Sequence, residues 1–413
     1  AGTVSAFSAV GYYFGRDLHK ELDVPVGMIC AAVGGTPMAA WLTDKALESR
    51  DVLATYKNNS ENNTGNTMQN GLYNGMVAPL VPFGMKGVIW YQGEADRWYD
   101  VPVYENLLGA MIDSYREVWG NDDLAFHFVQ LPNYSEQVGA KWPAVRDGQF
   151  KAAQTNDNVG VVVTLDVGDS YNLHPTKKQP VGQRLALSAL KLTYGKDIDV
   201  YTGPVYKNME KDGGKLIVDF YHKGSGLTTN NGAAPACFEI SGADGVFYPA
   251  TAVIENNKIT VSSTNVSDPT AVRYAYSNDP RVNLFNAEGF PAAPFNEVYT
   301  PYEEGVVVHT DGIVYKDAQG GVVGAPSAGG SAEVTVTVTN NTPELAEAVA
   351  ELYLNQNGRL ISVRTEEITR VTAGGRRTVT LSLPLPNSTG GLTAEALVWD
   401  SLTQMHPLTA VIN

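Results

Sequence analysis

Lys86-Gly87-Val88-Ile89-Trp90-Tyr91 runs directly into Gln92-Gly93-Glu94-Ala95-Asp96. The first of these stretches reads as a buried strand. The second puts an amide and two carboxylates where a parallel strand hands over to a loop, which is where open α/β sheets keep their active sites. Another ending of this kind lies downstream, where Val161-Val162-Val163-Thr164-Leu165-Asp166 leads into Gly168-Asp169-Ser170-Tyr171-Asn172-Leu173-His174-Pro175. Two strand ends therefore deliver Gln, Glu, Asp and His toward one face.

Around these strands the apolar spacing alternates between helical and extended. Phe7, Val10, Phe14, Leu18 and Leu22 predict an amphipathic helix over 5–22, closed by Asp23-Val24-Pro25. The apolar run 26–33 predicts a short strand ending in Gly34-Gly35-Thr36-Pro37. Helices are expected over 104–119, 142–155 and 181–192, with a strand over 125–131. This alternation predicts a parallel sheet with helices on both faces for residues 1–199. Helix followed by strand at the start is the second half of an α/β unit, so a first strand is expected outside this sequence. From residue 200 to 300 short alternating runs separated by Gly, Asn and Asp turns predict β structure. Residues 301–330, rich in Gly and Ala toward their end, are expected to be a linker. Val334, Val336 and Val338 then alternate with threonines, and strands at this spacing over 331–413 predict an immunoglobulin-like sandwich.

The chain has 413 residues, enough for two or three domains. A formal charge of -15 argues against nucleic acid or an anionic membrane as partner, because phosphate binding needs a basic surface. No apolar run approaches a membrane span, and the first residues show no secretory leader pattern. With only Cys30 and Cys237, neither a disulfide framework nor a thiolate zinc site is expected. Cys30, inside the run 26–33, reads as a small core residue. No metal or other cofactor is called for.

Of the six histidines, five sit in helix or β contexts with ready structural explanations. His174 alone follows a strand-end loop with acids. It reads either as a surface or capping residue or as a general base. Gly34-Gly35 either turns the chain or offers backbone N–H groups to an oxyanion, with Gln92 adding an amide. Glu94 and Asp96 are too close in sequence to flank a sugar, since i and i+2 side chains diverge. Each reads as an orienting acid, a helix cap or a surface ion-pair partner.

Five blocks in order resemble the sialate O-acetylesterase family, a carbohydrate-esterase branch of the SGNH hydrolases. They are Phe7-Ser8-Ala9-Val10, Gly34-Gly35-Thr36-Pro37-Met38-Ala39-Ala40-Trp41, Leu72-Tyr73-Asn74-Gly75-Met76, Trp90-Tyr91-Gln92-Gly93-Glu94 and Leu173-His174-Pro175-Thr176-Lys177-Lys178. The resemblance implies a flavodoxin-like SGNH sheet, a serine nucleophile in a Gly-Gln-Ser-Asn-like block, His174 as its base, and Gly34, Gly35 and Gln92 at the oxyanion. Two departures matter. The position three residues before His174 is Tyr171 instead of the familiar aspartate, so Glu94 is the first substitute for the supporting acid, followed by Asp169 and Asp166. No Gly-x-Ser block follows an apolar strand, so the chain looks like an N-terminally truncated esterase that is inactive alone.

The expected substrate is an acetylated sugar, sialic acid or another glycan, with Trp41, Asn74, Tyr91 and Arg146 on the sugar side. The expected setting is secreted and bacterial, with attachment at a cell surface through the C-terminal module. Three further readings stay open: a glycoside hydrolase using Glu94 and Asp169, a non-catalytic carbohydrate-binding protein, and an inert gene fragment.

Overall fold

The computed structural model describes residues 4, 6–81, 83–135, 139–299, 305–342, 346–372, 374–401 and 406–412. The chain divides into two compact units, Ala1–Tyr302 and Glu303–Asn413.

In the first unit, helix α1 (Ala9–Leu22) starts where the Ser8 hydroxyl accepts from the Gly11 N–H at 3.1 Å. Short helices α2 (Asp44–Glu48) and α3 (Ala54–Ser60) come next. Strand β1 (Gly87–Trp90), helix α4 (Val101–Trp119), strand β2 (Ala125–Val129), helix α5 (Trp142–Thr155), strand β3 (Val159–Val162) and helix α6 (Lys178–Leu192) then alternate. The strands form a parallel sheet in the order β1-β2-β3. Side chains alternate across β2 with the pleat. Phe126 and Phe128 join the core under α4 and α5, while His127 and Val129 turn toward α6. Helices therefore cover both faces.

Residues 26–33 are the main departure in this unit. They belong to no ladder, and Ile29 and Cys30 are exposed. An apolar run becomes a strand only where a neighbour supplies hydrogen bonds, and none of the described residues does so here. Cys30 is accordingly a surface thiol and not part of the core.

Beyond α6 the unit continues into small antiparallel sheets. One orders Val205–Asp212, Lys215–Tyr221, Lys258–Ser262 and Thr251–Glu255. Another orders Phe295–Val298, Ala271–Tyr274, Phe238–Ser241 and Phe247–Pro249. Phe220, Phe238, Tyr274 and Phe295 pack ring against ring between them.

The second unit has two antiparallel sheets over one core. Ser331–Asn340 buries Ala332, Val334, Val336 and Val338, and its outward Thr335 and Thr337 meet Thr380 and Thr378 across the ladder at 3.1 and 2.9 Å. The expected linker 301–330 is corrected here. Strand Val306–Lys316 pairs along Ser331–Asn340, and Val306, Val308, Ile313 and Tyr315 pack on the core. The Gly- and Ala-rich stretch that suggested a hinge is only the connection inside this sheet. These four side chains are half-buried, so each contributes part of the roughly 1.5–3 kcal/mol of full burial, together a sizeable share of the about 5–15 kcal/mol by which a domain is stable. Residues 303–413 should therefore melt cooperatively as an isolated fragment, and 331–413 should not. Equal melting temperatures for the two fragments would contradict the assignment of 306–316 to this core.

A second prediction concerns His127. Its ring nitrogens lie 2.9 Å from the Ser188 and Thr193 hydroxyls, and burial pushes its pKa down to about 4. The unfolded chain takes up this proton near pH 6.5, whereas the folded chain resists it until about pH 4. The stability from neutral His127 is thus complete above pH 6.5 and is lost as pH falls toward 4, by about 3 kcal/mol. Thermal melts between pH 7 and 4 should show a shallower acid decline in His127→Gln than in the parent, and parallel declines would refute the assignment.

Candidate active site

The loop after β1 is shaped by Gly93, whose φ is +153° and whose missing Cβ would fall 2.7 Å from Val145 Cγ1. A side chain there would strain the backbone and strike the core, so glycine is required. The chain then turns through Glu94–Asp96, and the two carboxylates part as their spacing demands. Asp96 is 1% exposed. It accepts from the Met38 N–H at 2.9 Å, the Tyr56 hydroxyl at 2.7 Å and the Gln92 amide at 2.6 Å. Burial raises its pKa, and those three donors pull it back. The reading of Asp96 as a cap or surface ion-pair partner is corrected: it is a buried hub joining the strand end to the 36–41 turn and to α3.

Gln92 belongs to the same clamp. Its Nε2 donates to Asp96 and, at 3.1 Å, to the Thr36 carbonyl, while its Oε1 accepts from the Tyr104 hydroxyl at 2.9 Å. Both amide hydrogens are engaged, so the expected oxyanion contribution from Gln92 is corrected to that of a tie between two loops. Gly34 and Gly35 form an exposed turn, with Gly35 at φ +76°. Thr36 locks that turn by donating to the Val33 carbonyl at 2.8 Å while accepting from the Trp41 indole at 2.9 Å. Among the described residues no hydrogen bond occupies the Gly34 or Gly35 N–H.

Glu94 is half-buried, and its carboxyl sits above the usual range. Burial is the main cause, opposed by its own N–H, by the charges of His174 and Lys178, and by the Gly93 N–H. The Lys178 ammonium lies 4.9 Å from the Tyr91 ring centroid. Its pKa is lowered by burial and partly restored by Glu94. Lys178 closes the His174 block without an expected role, so its place beside Glu94 is a finding of the structure.

The loop after β3 holds His174 outward. Asn172 Oδ1 accepts the His174 N–H at 2.9 Å, and Asp169 Oδ1 accepts the Tyr171 N–H at 2.9 Å. Both are local turns. Tyr171, at the position where an aspartate was sought, is 77% exposed. Asp166 is spent on Arg184 through two bonds of 2.7 and 2.6 Å, which removes it as the partner of His174. Asp169 caps its own exposed loop. Glu94 feels the charge of His174, which opposes the effect of its burial.

Three serines have local structural duties. Ser8 caps α1 and Ser225 binds Glu288. Ser170 is buried, with its hydroxyl 2.9 Å from Asp279 Oδ1.

The sugar-side candidates separate. Trp41 and Tyr91 line a cleft of about 350 Å³ together with Trp90 and Thr36. Trp41 is nonetheless a packed ring, 4% exposed and edge-on to Trp90 at 5.8 Å. Asn74 is exposed on the turn Tyr73–Val77. Arg146 is corrected: it is fully buried and donates to the carbonyls of Leu131, Pro132, Ser277 and Asn278 at 2.6–2.8 Å. Burial pushes its pKa down to about 9. It staples the β-rich segment to the end of β2 and is closed to a ligand.

Residues 4–191 match the model of the carbohydrate esterase family described as sialic acid-specific acetylesterase. Those residues, just under half of the chain, carry the sequence of the sialate O-acetylesterase family. It is similar to the sialate O-acetylesterase of Pongo abelii, 27% identical over 334 residues that cover 74% of this chain and 63% of that protein. The human sialate O-acetylesterase is 30% identical over 227 residues, covering 51% and 43% respectively. The chain thus spans less than two thirds of the length of these relatives. A carbohydrate acetylesterase from Xanthomonas citri has a similar structure, with TM-score 0.65 and 36% identity over 72% of this chain and 66% of that one. Among the described residues no cluster of His, Cys, Asp or Glu could hold a metal ion, and no helix is long and apolar enough to cross a membrane.

Proposed function

We propose that this chain carries the base, the supporting acid and the oxyanion turn of a carbohydrate O-acetylesterase that removes acetyl groups from sialic acid or a related sugar. The observation that carries this reading is the pairing of two strand ends. Glu94, at the end of β1, stands where the charge of His174, from the loop after β3, acts on its carboxyl, and the Gln92 amide ties the same strand end to the Thr36 carbonyl, next to an exposed turn with free backbone donors. In the reaction a serine oxygen attacks the acetyl carbonyl carbon and its proton passes to His174. The tetrahedral oxyanion is held by the Gly34 and Gly35 N–H groups. The sugar oxygen leaves with the proton from His174, and water then releases acetate from the acyl-serine. Glu94 orients the imidazole and offsets its transient charge.

Ser8, Ser170 and Ser225 are held by hydrogen bonds to Gly11, Asp279 and Glu288, which argues against each as that nucleophile. The 413 residues alone are therefore expected to release no acetate. The second unit, with two sheets over one core, is assigned an immunoglobulin-like attachment role at the outside of a cell.

The test fuses an apolar strand-forming segment that ends in Gly-Gln-Ser-Asn ahead of residue 4. Acetate release is assayed from an O-acetylated sialic acid and from a chromogenic acetate ester. Release by the fusion but not by the parent chain is expected. Turnover by the parent that disappears in Ser8→Ala or Ser170→Ala would overturn the assignment. The structural duties of these serines also favour a second reading, glycan binding without hydrolysis, and sugar binding by an inert fusion would establish it.

A further inference from the structure

The β-rich segment reaches back to the site end of the parallel sheet. After strand Ala271–Tyr274 the chain passes through Ser277-Asn278-Asp279, which lies against the loop that follows β2. Two carbonyls hold it there. Those of Ser277 and Asn278 accept from the Arg146 guanidinium at 2.6 and 2.8 Å, and that of Asn278 also accepts the Tyr134 N–H at 3.1 Å. Asp279 comes next, and the buried Pro280 behind it favours an extended backbone at this position. The Asp279 side chain is 16% exposed.

One oxygen of its carboxylate joins two loops. Asp279 Oδ1 accepts from the Asn133 amide at 2.7 Å, across 146 positions, and from the Ser170 hydroxyl at 2.9 Å, across 109. Asn133 and Ser170 are both buried, so water competes little for either donor. The two loops also meet directly, because the Ser135 N–H and hydroxyl donate to the Ser170 carbonyl at 3.0 and 2.6 Å. Gly168 permits this approach: a Cβ there would fall 2.1 Å from Asn133 Oδ1 and 2.8 Å from the Asn133 N and O atoms. Asn133 Oδ1 is buried without a partner among the described residues, so the bond to Asp279 and the contact with Gly168 set the orientation of the amide against a cost in stability.

We infer that Asp279 is a positioning residue for His174. Ser170 and His174 share the loop after β3. At the tip of that loop the hydrogen bonds from the Tyr171 and His174 N–H groups are local turns, which shape the loop without fixing where it stands on the sheet. Leu173 packs on the core, and an apolar contact holds the loop down but has no direction. The bonds on Ser170 supply the direction, and the one from its side chain ends on Asp279. An ionised oxygen accepts two donors strongly. The remaining contact of this carboxylate, Oδ2 with Arg281 at 3.2 Å, involves a side chain that is 70% exposed and adds little. That His174 is a base rests on the esterase reading above; the fastening of its loop does not.

In the full chain the Ser135 amide reports on the junction of the loops, and the His174 ring reports on its consequence. Ser170→Ala and Asp279→Ala should each speed hydrogen exchange of the Ser135 amide by about tenfold or more and shift the His174 Cε1–H resonance. His127, held by Ser188 of α6, should keep its signal. Asp279→Asn retains an acceptor oxygen and should bring both readouts back toward the parent. In the serine fusion, Asp279→Ala should lower kcat by about tenfold or more with KM almost unchanged, the mark of a misplaced base and not of lost binding. Asp279→Asn should recover most of that loss. Unchanged exchange and an unchanged His174 resonance in both alanine variants overturn the inference, as does a His127 signal that moves together with that of His174. A shifted His174 in a fusion that releases no acetate keeps the positioning role and refutes the esterase reading. Acetate release that Asp279→Ala leaves untouched does the reverse.

Discussion

In the fusion that supplies a serine, His174→Ala should lower kcat for acetate release by about four orders of magnitude, the loss typical of removing a triad member. The melting temperature should hardly move. His174 is exposed, and its hydrogen bond to Asn172 is made by the backbone N–H, which alanine keeps. Glu94→Gln should cost about a hundredfold, mainly in kcat, because it removes the charge that steadies the imidazolium while retaining the shape of the side chain. Asp169→Asn should be close to neutral, since its carboxylate caps the Tyr171 N–H and an amide oxygen can do the same. Measuring kcat and KM separately for the three variants ranks the acids. A loss in Asp169→Asn that equals or exceeds the loss in Glu94→Gln would return the acid role to the histidine loop.

Asp96→Ala should destabilise the first unit by about 3–5 kcal/mol, since it leaves three buried donors from Met38, Tyr56 and Gln92 without an acceptor. Asp96→Asn keeps the volume and one acceptor oxygen, so its cost should be smaller, about 1–3 kcal/mol. Urea unfolding midpoints of the two variants test this. A loss below about 1 kcal/mol in Asp96→Ala would show that the clamp is dispensable. Because the same carboxylate ties the 36–41 turn to the end of β1, the alanine variant should also disturb the Gly34-Gly35 donors. Activity in the fusion should then fall further than stability alone explains.

How much of this was legible in the residues depends on how local each signal is. Helix α5 spans Trp142–Thr155 as its spacing predicts, and β2 occupies Ala125–Val129 within the expected run. Periodicity within one element needs no knowledge of what lies opposite. The two strand-end loops were visible for the same reason, as apolar runs emptying into polar residues. The histidine loop and its acids could be named, but not ranked. Asp166, Asp169 and Glu94 look alike in a sequence, and only the fold gives Asp166 to Arg184, Asp169 to its own loop and Glu94 to the neighbourhood of His174.

By itself, the sequence determined the α/β alternation, the family blocks and the candidate site at the strand ends, because these are patterns of neighbours. The tertiary structure decided which polar side chains are tools and which are fastenings. Asp96 meets Met38 across 58 positions, and Arg146 meets Asn278 across 132. It also decided that 26–33 stays without a ladder while 306–316 joins one. A strand is completed by hydrogen bonds from a partner that its own sequence does not name, and a buried charge is tolerated only where distant donors converge on it.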